Sequence, residues 1–206
     1  KKLSKILVND SHEVIYWLSK KGLKFVPIKG KQSFVVNGVT KYWGGLTLEV
    51  KNQGEGLVKS LTNIVKKNGI EIKYDVAAKK LIKKNNQIKG IGVLNKGNKE
   101  LILCNSVILA CGGFEANSKM RSKYLGKGWD KAKVRGTKHN TGDGLNMAFE
   151  HDAARYGEWN GCHAVFHDMN GPEFSDLKIA AKYRKISYPW GIVLNANGER
   201  FVDEGE

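Results

Sequence analysis

The chain has 206 residues, of which 41% are hydrophobic and 27% are charged, and its formal net charge is +15. That profile is typical of a globular chain with enough apolar residues for a core, in one domain or one domain and part of a second. No window holds about 18 uncharged apolar residues in a row, so the sequence predicts no membrane span. The residues that follow Lys1 do not resemble a signal peptide.

The number and spacing of the cysteines indicate the redox state of the compartment. Cys104, Cys111 and Cys162 have neither the number nor the spacing of a disulfide framework or a zinc site. We therefore expect a reducing compartment and place the protein in the cytoplasm. The chain starts at Lys1 without an initiator Met and stops at Glu206 directly after a predicted strand pair, so we expect a fragment of a longer polypeptide.

The first part of the chain predicts a helix and a hairpin. Apolar residues at helical spacing predict a helix over residues 9–20. Two β-rich runs flank Asn37 and Gly38, which is the pattern of a type I′ hairpin over residues 33–43. The glycine-bearing loop that follows, over residues 43–56, either faces a ligand or is a flexible connector.

The next part predicts a helix that leads into a sheet. Apolar residues on one side of residues 56–68 predict a helix, which a glycine ends. Alternating apolar residues over 70–74 predict a strand directly after it, and this would be half of a βαβ unit in a parallel sheet. Residues 81–103 predict a small antiparallel meander on that layer.

A first candidate ligand site is the run VILACGGF over residues 107–114, in which apolar residues end at a double glycine. The run predicts a buried parallel strand that turns sharply at Gly112 and Gly113. Neither glycine has a Cβ, so the backbone can turn there or lie directly against a ligand. Ligands of open α/β sheets sit beyond the carboxyl ends of strands, but the motif on its own also fits a plain turn.

A second candidate is the sequence NTGDG over residues 140–144. It follows a predicted short helix over residues 117–124 and precedes one over residues 145–150. The backbone N–H groups and the positive dipole end at such a helix start favour an anion or the polar atoms of a cofactor. Asp143 is either part of that site or only the N-terminal cap of the helix.

Basic residues are dense between Lys119 and Lys138, where eight Lys or Arg residues are opposed only by Asp130. Such a stripe is typical of a phosphate-binding surface. No aromatic-rich strand accompanies it to stack bases, so we predict no nucleic-acid partner. A solvated lysine-rich surface or an anionic small ligand accounts for the charge as well.

Beyond residue 154 the spacing of apolar residues becomes irregular, which indicates a second domain or a long insertion in the first. His163 and His167 are four residues apart, as metal ligands on a helix are, but no glutamate lies between them and Pro172 follows, so we predict no metal. A histidine presented to an anionic substrate is the preferred interpretation. Residues 192–202 predict a further strand, turn and strand.

Four of these segments occur in the order and at the spacing of one family. They are QGEGL at 53–57, ACGGF at 110–114, NTGDGL at 140–145 and LNANGERF at 194–201. With them the chain resembles the middle of the FAD-dependent fumarate reductase and succinate dehydrogenase flavoproteins over nearly its whole length. Three further runs are most similar to the tricarballylate dehydrogenases of that family: YWGGL at 42–46, GCHA at 161–164 and YPWGI at 188–192.

The resemblance implies an α/β fold and FAD as the cofactor. Residues 1–156 would be the central part of a Rossmann-like FAD-binding domain with a β-meander, and residues 157–206 would begin an α+β capping domain. His163 would bind a carboxylate of the substrate. The cofactor-binding residues would be Val76, Ala110, Cys111, Gly112, Gly113, Thr141, Gly142 and Asp143.

The implied activity is hydride transfer between the CH–CH unit of a di- or tricarboxylate and the flavin. Fumarate reductases place a threonine, a glutamate and an arginine before the last motif; this chain has residues 182–188 there, so we expect a substrate other than fumarate or succinate. Arg184 is either a substrate clamp or a surface residue. The alternatives are a flavin dehydrogenase of the same fold with a ketosteroid-like substrate, and a non-catalytic anion-binding module.

The resemblance also places two parts of the active enzyme outside this sequence. The family's Gly-x-Gly-x-x-Gly turn for the FAD pyrophosphate would precede Lys1, and its catalytic arginine would follow Glu206. The catalytic residue is therefore unknown here, and we expect the fragment to be inactive alone and to bind FAD poorly. A small carboxylate substrate and an electron-transfer protein are the predicted partners.

Overall fold

The computed structural model describes residues 2–28, 33–42, 47–175, 183, 185 and 188–204. They fall into two compact units, Lys1–Tyr74 and Asp75–Glu206. The domain boundary predicted between residues 156 and 157 is a different division, and it stays a prediction.

Two helices frame the first unit. Helix α1 spans Lys2–Lys20 and helix α2 spans Gln53–Lys67, so both predicted helices are confirmed and both begin earlier than predicted. Gly69 ends α2 with φ of 69°. Its N–H donates to Lys66 O and the next N–H donates to Val65 O, the two bonds of a Schellman motif.

The strands of the first unit form two antiparallel pairs. Strand β1 (Phe25–Pro27) pairs with β4 (Leu48–Val50), and β2 (Ser33–Val36) pairs with β3 (Val39–Tyr42). Between β2 and β3, Asn37 and Gly38 have φ of 49° and 77°, as a type I′ turn requires. The predicted hairpin is therefore confirmed. The predicted loop residues 43–46 lie outside the described residues.

The second unit opens with the predicted antiparallel meander. Strands β5 (Val76–Lys84), β6 (Gln87–Asn95) and β7 (Asn98–Leu103) lie in that order in one sheet. Asn85 and Asn86 turn the chain between β5 and β6 with φ of 49° and 59°. Asparagine tolerates this left-handed region, so the sequence signal and the backbone agree.

Short helices follow the meander. Helix α3 spans Ser118–Leu125, and Asn117 caps it by accepting from the backbone N–H of Met120 at 3.1 Å. A single 3-10 turn covers Trp129–Lys131, helix α4 covers Asp143–Phe149, and a second 3-10 turn covers Tyr188–Trp190. The helices predicted around 117–124 and 145–150 are thus confirmed, with α4 beginning two residues early.

Four predicted strands are wrong. Residues 70–74 and 107–114 belong to no strand, and the predicted strand pair over 192–202 reduces to one bridge between Leu194 and Arg200. Ile108 is 91% exposed rather than buried. Apolar runs predict burial, but a strand also needs a hydrogen-bonded neighbour, and no described segment pairs with residues 70–74 or 107–114. The only parallel pairing among the described residues is an isolated bridge between Val134 and Phe174.

The mixture of helices and antiparallel sheets agrees with the predicted α/β class. Of the helices within the described ranges, none combines the length and apolar character needed to cross a membrane.

Candidate functional site

The double glycine forms a corner that only glycine fits. Gly112 has φ of 74°, a conformation that costs other residues strain. A Cβ built on Gly112 would lie 2.8 Å from the side-chain oxygen of Asn140. The backbone of the 110–113 segment therefore approaches residue 140 more closely than any side chain would allow.

Backbone hydrogen bonds join this segment to the start of α4. The N–H of Gly142 donates to Gly113 O at 3.0 Å, and the N–H of Ala116 donates to Asn140 O at 2.9 Å. A Cβ on Gly144 would lie 3.0 Å from the sulfur of Cys111. The structure thus brings together residues 110–113 and 140–144, which we call the glycine corner.

Asp143 does not cap helix α4 in the structure. The cap position is held by Gly142, with φ of 81° and no side-chain hydrogen bond. The Asp143 carboxylate accepts a hydrogen bond from the Thr141 hydroxyl at 3.1 Å and is exposed. Of the two interpretations, the cap is therefore wrong, and the carboxylate is free to contact a ligand.

The remaining predicted cofactor residues are Ala110, Cys111 and Val76. Ala110 and Cys111 belong to the corner and are exposed. Val76 is half-buried at the first position of β5, where it pairs with Asn95. Val76 does not line the cavity described next.

A cavity of about 920 Å³ lies beside the glycine corner. Gly112, Gly113 and Phe114 line one part of it, and His163 and His167 line another. His163 is exposed and has no hydrogen-bond partner among the described residues. Arg184, the other predicted substrate residue, lies outside the described residues. In the described ranges no three His, Cys, Asp or Glu side chains are grouped to hold a metal.

A buried arginine supports this cavity, and the sequence did not predict it. Arg121 is 6% exposed and donates to four backbone carbonyls. Its Nε binds Trp129 O at 2.8 Å, Nη2 binds Asp130 O at 2.9 Å and Ala132 O at 3.0 Å, and Nη1 binds Glu115 O. Within the basic stripe nothing marks this arginine as buried, because its partners are carbonyls that every residue type carries.

The opposite side of the cavity is held by a lysine and a short backbone pairing. Lys133 Nζ donates to Met169 O and Gly171 O. The Val134 N–H donates to Glu173 O at 2.8 Å, and the Ser175 N–H donates to Val134 O at 3.1 Å. We call residues 131–135 and 163–171, which these contacts hold together, the cationic wall.

An ion pair adds a contact to this wall. Asp168 Oδ2 lies 2.9 Å from Lys185 Nζ. Hydrogen bonds from Lys185 and from the Asn170 N–H lower the pKa of the Asp168 carboxyl below its usual value. Asp168 therefore stays ionised and paired at neutral pH.

Aromatic rings pack beside the glycine corner. The rings of Phe114 and Trp159 stack with centroids 5.8 Å apart and planes 11° apart. The Arg155 guanidinium lies 5.1 Å from the ring of Tyr124, 5.4 Å from that of Phe149 and 5.7 Å from that of Trp159. We call these four rings with Arg155 the aromatic cluster. It fixes Trp159, which lines the cavity, against the residue that follows the corner.

The residues at the corner fit the FAD that the resemblance implies. Gly112 and Gly113 line the cavity without side chains, and a flat ring system can therefore approach their backbone closely. The cavity lies within the range of roughly 300–1,000 Å³ typical of cofactor and ligand sites. The exposed carboxylate of Asp143 provides a hydrogen-bond acceptor at the same corner.

Comparison with known proteins agrees with this fit. The whole chain, residues 1–206, matches the family described as FAD binding domain. The chain is 28% identical over 98% of its length to the NADH:acrylate oxidoreductase of Vibrio harveyi, of which it covers 20%. It is 28% identical over 81% of its length to a 3-oxosteroid 1-dehydrogenase of Mycobacterium tuberculosis, of which it covers 30%.

A solved structure shares the fold. The open conformation of a flavocytochrome c3 fumarate reductase matches with a TM-score of 0.58 at 24% identity, over 71% of this chain and 25% of that one. This likeness confirms the predicted fold class. The chain spans less than a third of the length of each of these three proteins. Since the family match covers every residue, FAD is the cofactor and the chain belongs to the FAD binding domain family.

Proposed function

We propose that this chain is the flavin-holding part of an oxidoreductase that moves a hydride between flavin and the CH–CH unit of a di- or tricarboxylate. The observation that carries the proposal is the single cavity lined both by Gly112 and Gly113 and by His163. The relatives named for acrylate and fumarate support a carboxylate substrate. The motifs shared with tricarballylate dehydrogenases favour a tricarboxylate.

The glycine corner would hold the cofactor through Gly112, Gly113, Thr141 and Asp143. FAD, when bound, supplies the hydride acceptor. The stacked rings of Phe114 and Trp159 line the cavity beside the corner and would give the cofactor an apolar surface there.

His163 would bind and orient a substrate carboxylate. Its imidazole has no partner in the described part of the chain, so both ring nitrogens are available. Fixed cations near that carboxylate stabilise the negative charge that develops on the adjacent carbon. The group that exchanges the second proton is not assigned to a residue of this chain.

Location and a protein partner complete the proposal. The cysteines Cys104, Cys111 and Cys162 are all free, which supports a reducing compartment such as the cytoplasm. An electron-transfer protein would then exchange electrons with the flavin.

A second candidate is oxidation of an apolar ring substrate. The 3-oxosteroid 1-dehydrogenase relative suggests it. The cavity lining favours it as well, because it includes five aromatic side chains: Phe114, Trp129, Tyr156, Trp159 and Phe166.

Anaerobic mixing separates the candidates. The full-length protein, loaded with flavin, is mixed with tricarballylate, succinate or a 3-oxosteroid, and flavin absorbance is followed. We expect bleaching by tricarballylate, slower bleaching in H163Q, and unchanged bleaching in H12Q, because the side chain of His12 is 88% exposed. Bleaching by the steroid alone would favour the second candidate. Bound flavin that responds to none of the three would indicate the non-catalytic module.

A further inference from the structure

The cationic side chains around the cavity differ in how many hydrogen bonds they make. Six side chains that carry or can acquire a positive charge line it: Arg121, Lys131, Lys133, Arg135, His163 and His167. Arg121 donates to four backbone carbonyls and Lys133 to two. His167 places Nδ1 at 3.2 Å from Asp168 O. Only Lys131, Arg135 and His163 have no polar partner within the described ranges.

The acidic groups do not cancel these charges. Glu115 accepts from the Asn140 amide at 2.5 Å, and Asp168 is paired with Lys185. Glu158 is the remaining acid on the lining. Four Arg and Lys side chains line the described cavity against three acids, and one of these acids, Asp168, is neutralised by Lys185. An excess of positive charge therefore remains, which attracts anions into the cavity.

Of the two permanent cations, Arg135 has the better-fixed backbone. The preceding residue, Val134, is 7% exposed and is held by backbone bonds on both its N–H and its C=O. In a bridged, extended segment successive side chains alternate, so Lys133 and Arg135 share the side opposite Val134. Lys131 ends a single 3-10 turn and is less constrained. A guanidinium also binds a carboxylate through two parallel hydrogen bonds, which an ammonium cannot do.

We infer that Arg135 binds a second carboxylate of the substrate, while His163 binds the first. This inference rests on the proposed function and deepens it, because two separate cationic groups on one cavity select di- and tricarboxylates over monocarboxylates. It assigns to Arg135 a specificity role that the sequence had offered to Arg184.

The test compares ligands of different charge in the full-length, flavin-loaded protein. Binding of tricarballylate, malonate and propionate is measured by the fluorescence of Trp129 and Trp159, which line the cavity. In R135Q we expect the Kd for tricarballylate and malonate to rise roughly 10- to 100-fold, the loss of a charge-assisted hydrogen-bond pair. The Kd for propionate should change less than about twofold. R135K should recover part of the loss, since it restores charge without the second hydrogen bond.

Lys138 provides the matched control. It is exposed, lies in the same basic stripe and does not line the cavity, so K138Q should bind every ligand as the parent protein does. Equal losses for malonate and propionate in R135Q, or no loss at all, would overturn the role of Arg135 while the parent protein still bound carboxylates. A parent protein that binds no carboxylate would overturn the proposed function and this inference together. Melting temperatures of all variants show whether each one is folded.

Discussion

The glycine corner and the cationic wall face one cavity but are built in different ways. The corner is held by backbone hydrogen bonds and by glycines whose missing Cβ permits close approach. The wall is held by long side chains, Arg121 on one side and Lys133 on the other, that reach distant backbone carbonyls. A site that is built from backbone contacts requires glycines at fixed positions, so it is visible as a motif in the sequence. A site that is built from long side chains uses Arg and Lys residues that cannot be distinguished in the sequence from other basic residues.

The largest expected effect comes from removing the buried guanidinium. R121M would leave four carbonyls without their donor, and we expect it to lower the free energy of unfolding by about 2–4 kcal/mol. Urea titration measures the loss. K119Q, at an exposed position on the same helix, should change stability by less than about 0.5 kcal/mol. A similar small effect for R121M would show that the wall does not depend on this residue.

The corner is tested by a pair of neighbouring glycines. G112A forces a side chain into φ of 74° and against Asn140, so we expect a loss of about 1–2 kcal/mol. G113A meets only the flexible end of Glu115 and should cost less. Thermal unfolding compares the two variants.

Titration of G112A and G113A with FAD then separates the effect of backbone strain from the effect of a direct contact with the cofactor. If G113A keeps its stability but loses FAD affinity, the added methyl group blocks the cofactor directly. If both variants bind FAD as the parent does, the corner is a plain turn.

The aromatic cluster connects the corner with the cavity, and its cation should contribute less. R155Q removes a guanidinium lying over three rings, for which we expect a loss of about 1 kcal/mol. The Trp159 fluorescence spectrum should shift to longer wavelength as the ring becomes more exposed to water. An unchanged spectrum and melting temperature would mean that ring stacking alone holds the cluster.

The last expected effect is a pH dependence of stability, and it lies outside both regions. Glu204 is 5% exposed and accepts from Arg200 and from the Val193 N–H, which lower its carboxyl pKa from 4.5 to about 2. A lowered folded-state pKa adds stability above pH 4.5, and this contribution is lost as the pH falls through about 2. The stability difference between the parent and E204Q should therefore be constant near neutrality and shrink below pH 4.5. A difference independent of pH between 7 and 2 would contradict the ion pair.

Local signals allowed much of the fold to be predicted. The Asn37–Gly38 hairpin, the meander turn at Asn85 and the Gly69 helix end each depend on backbone preferences of a few adjacent residues. The prediction of a buried strand over residues 107–114 was wrong, because the formation of a strand depends on a partner segment elsewhere in the chain. Of the residues that line the cavity, Gly112 and His163 were predicted from motifs, while Arg121 and Arg135 were not, since the contacts of these two side chains leave no motif in the sequence.

One measurement tests most directly whether the corner and the wall share a flavin site. Malonate, which cannot react by hydride transfer, is titrated into the full-length, flavin-loaded protein while the visible absorption spectrum of the flavin is recorded. We predict a saturable shift of the flavin bands that is weakened in H163Q, because the carboxylate and the flavin lie in one cavity. Malonate binding detected by calorimetry without any change in the flavin spectrum would contradict the account.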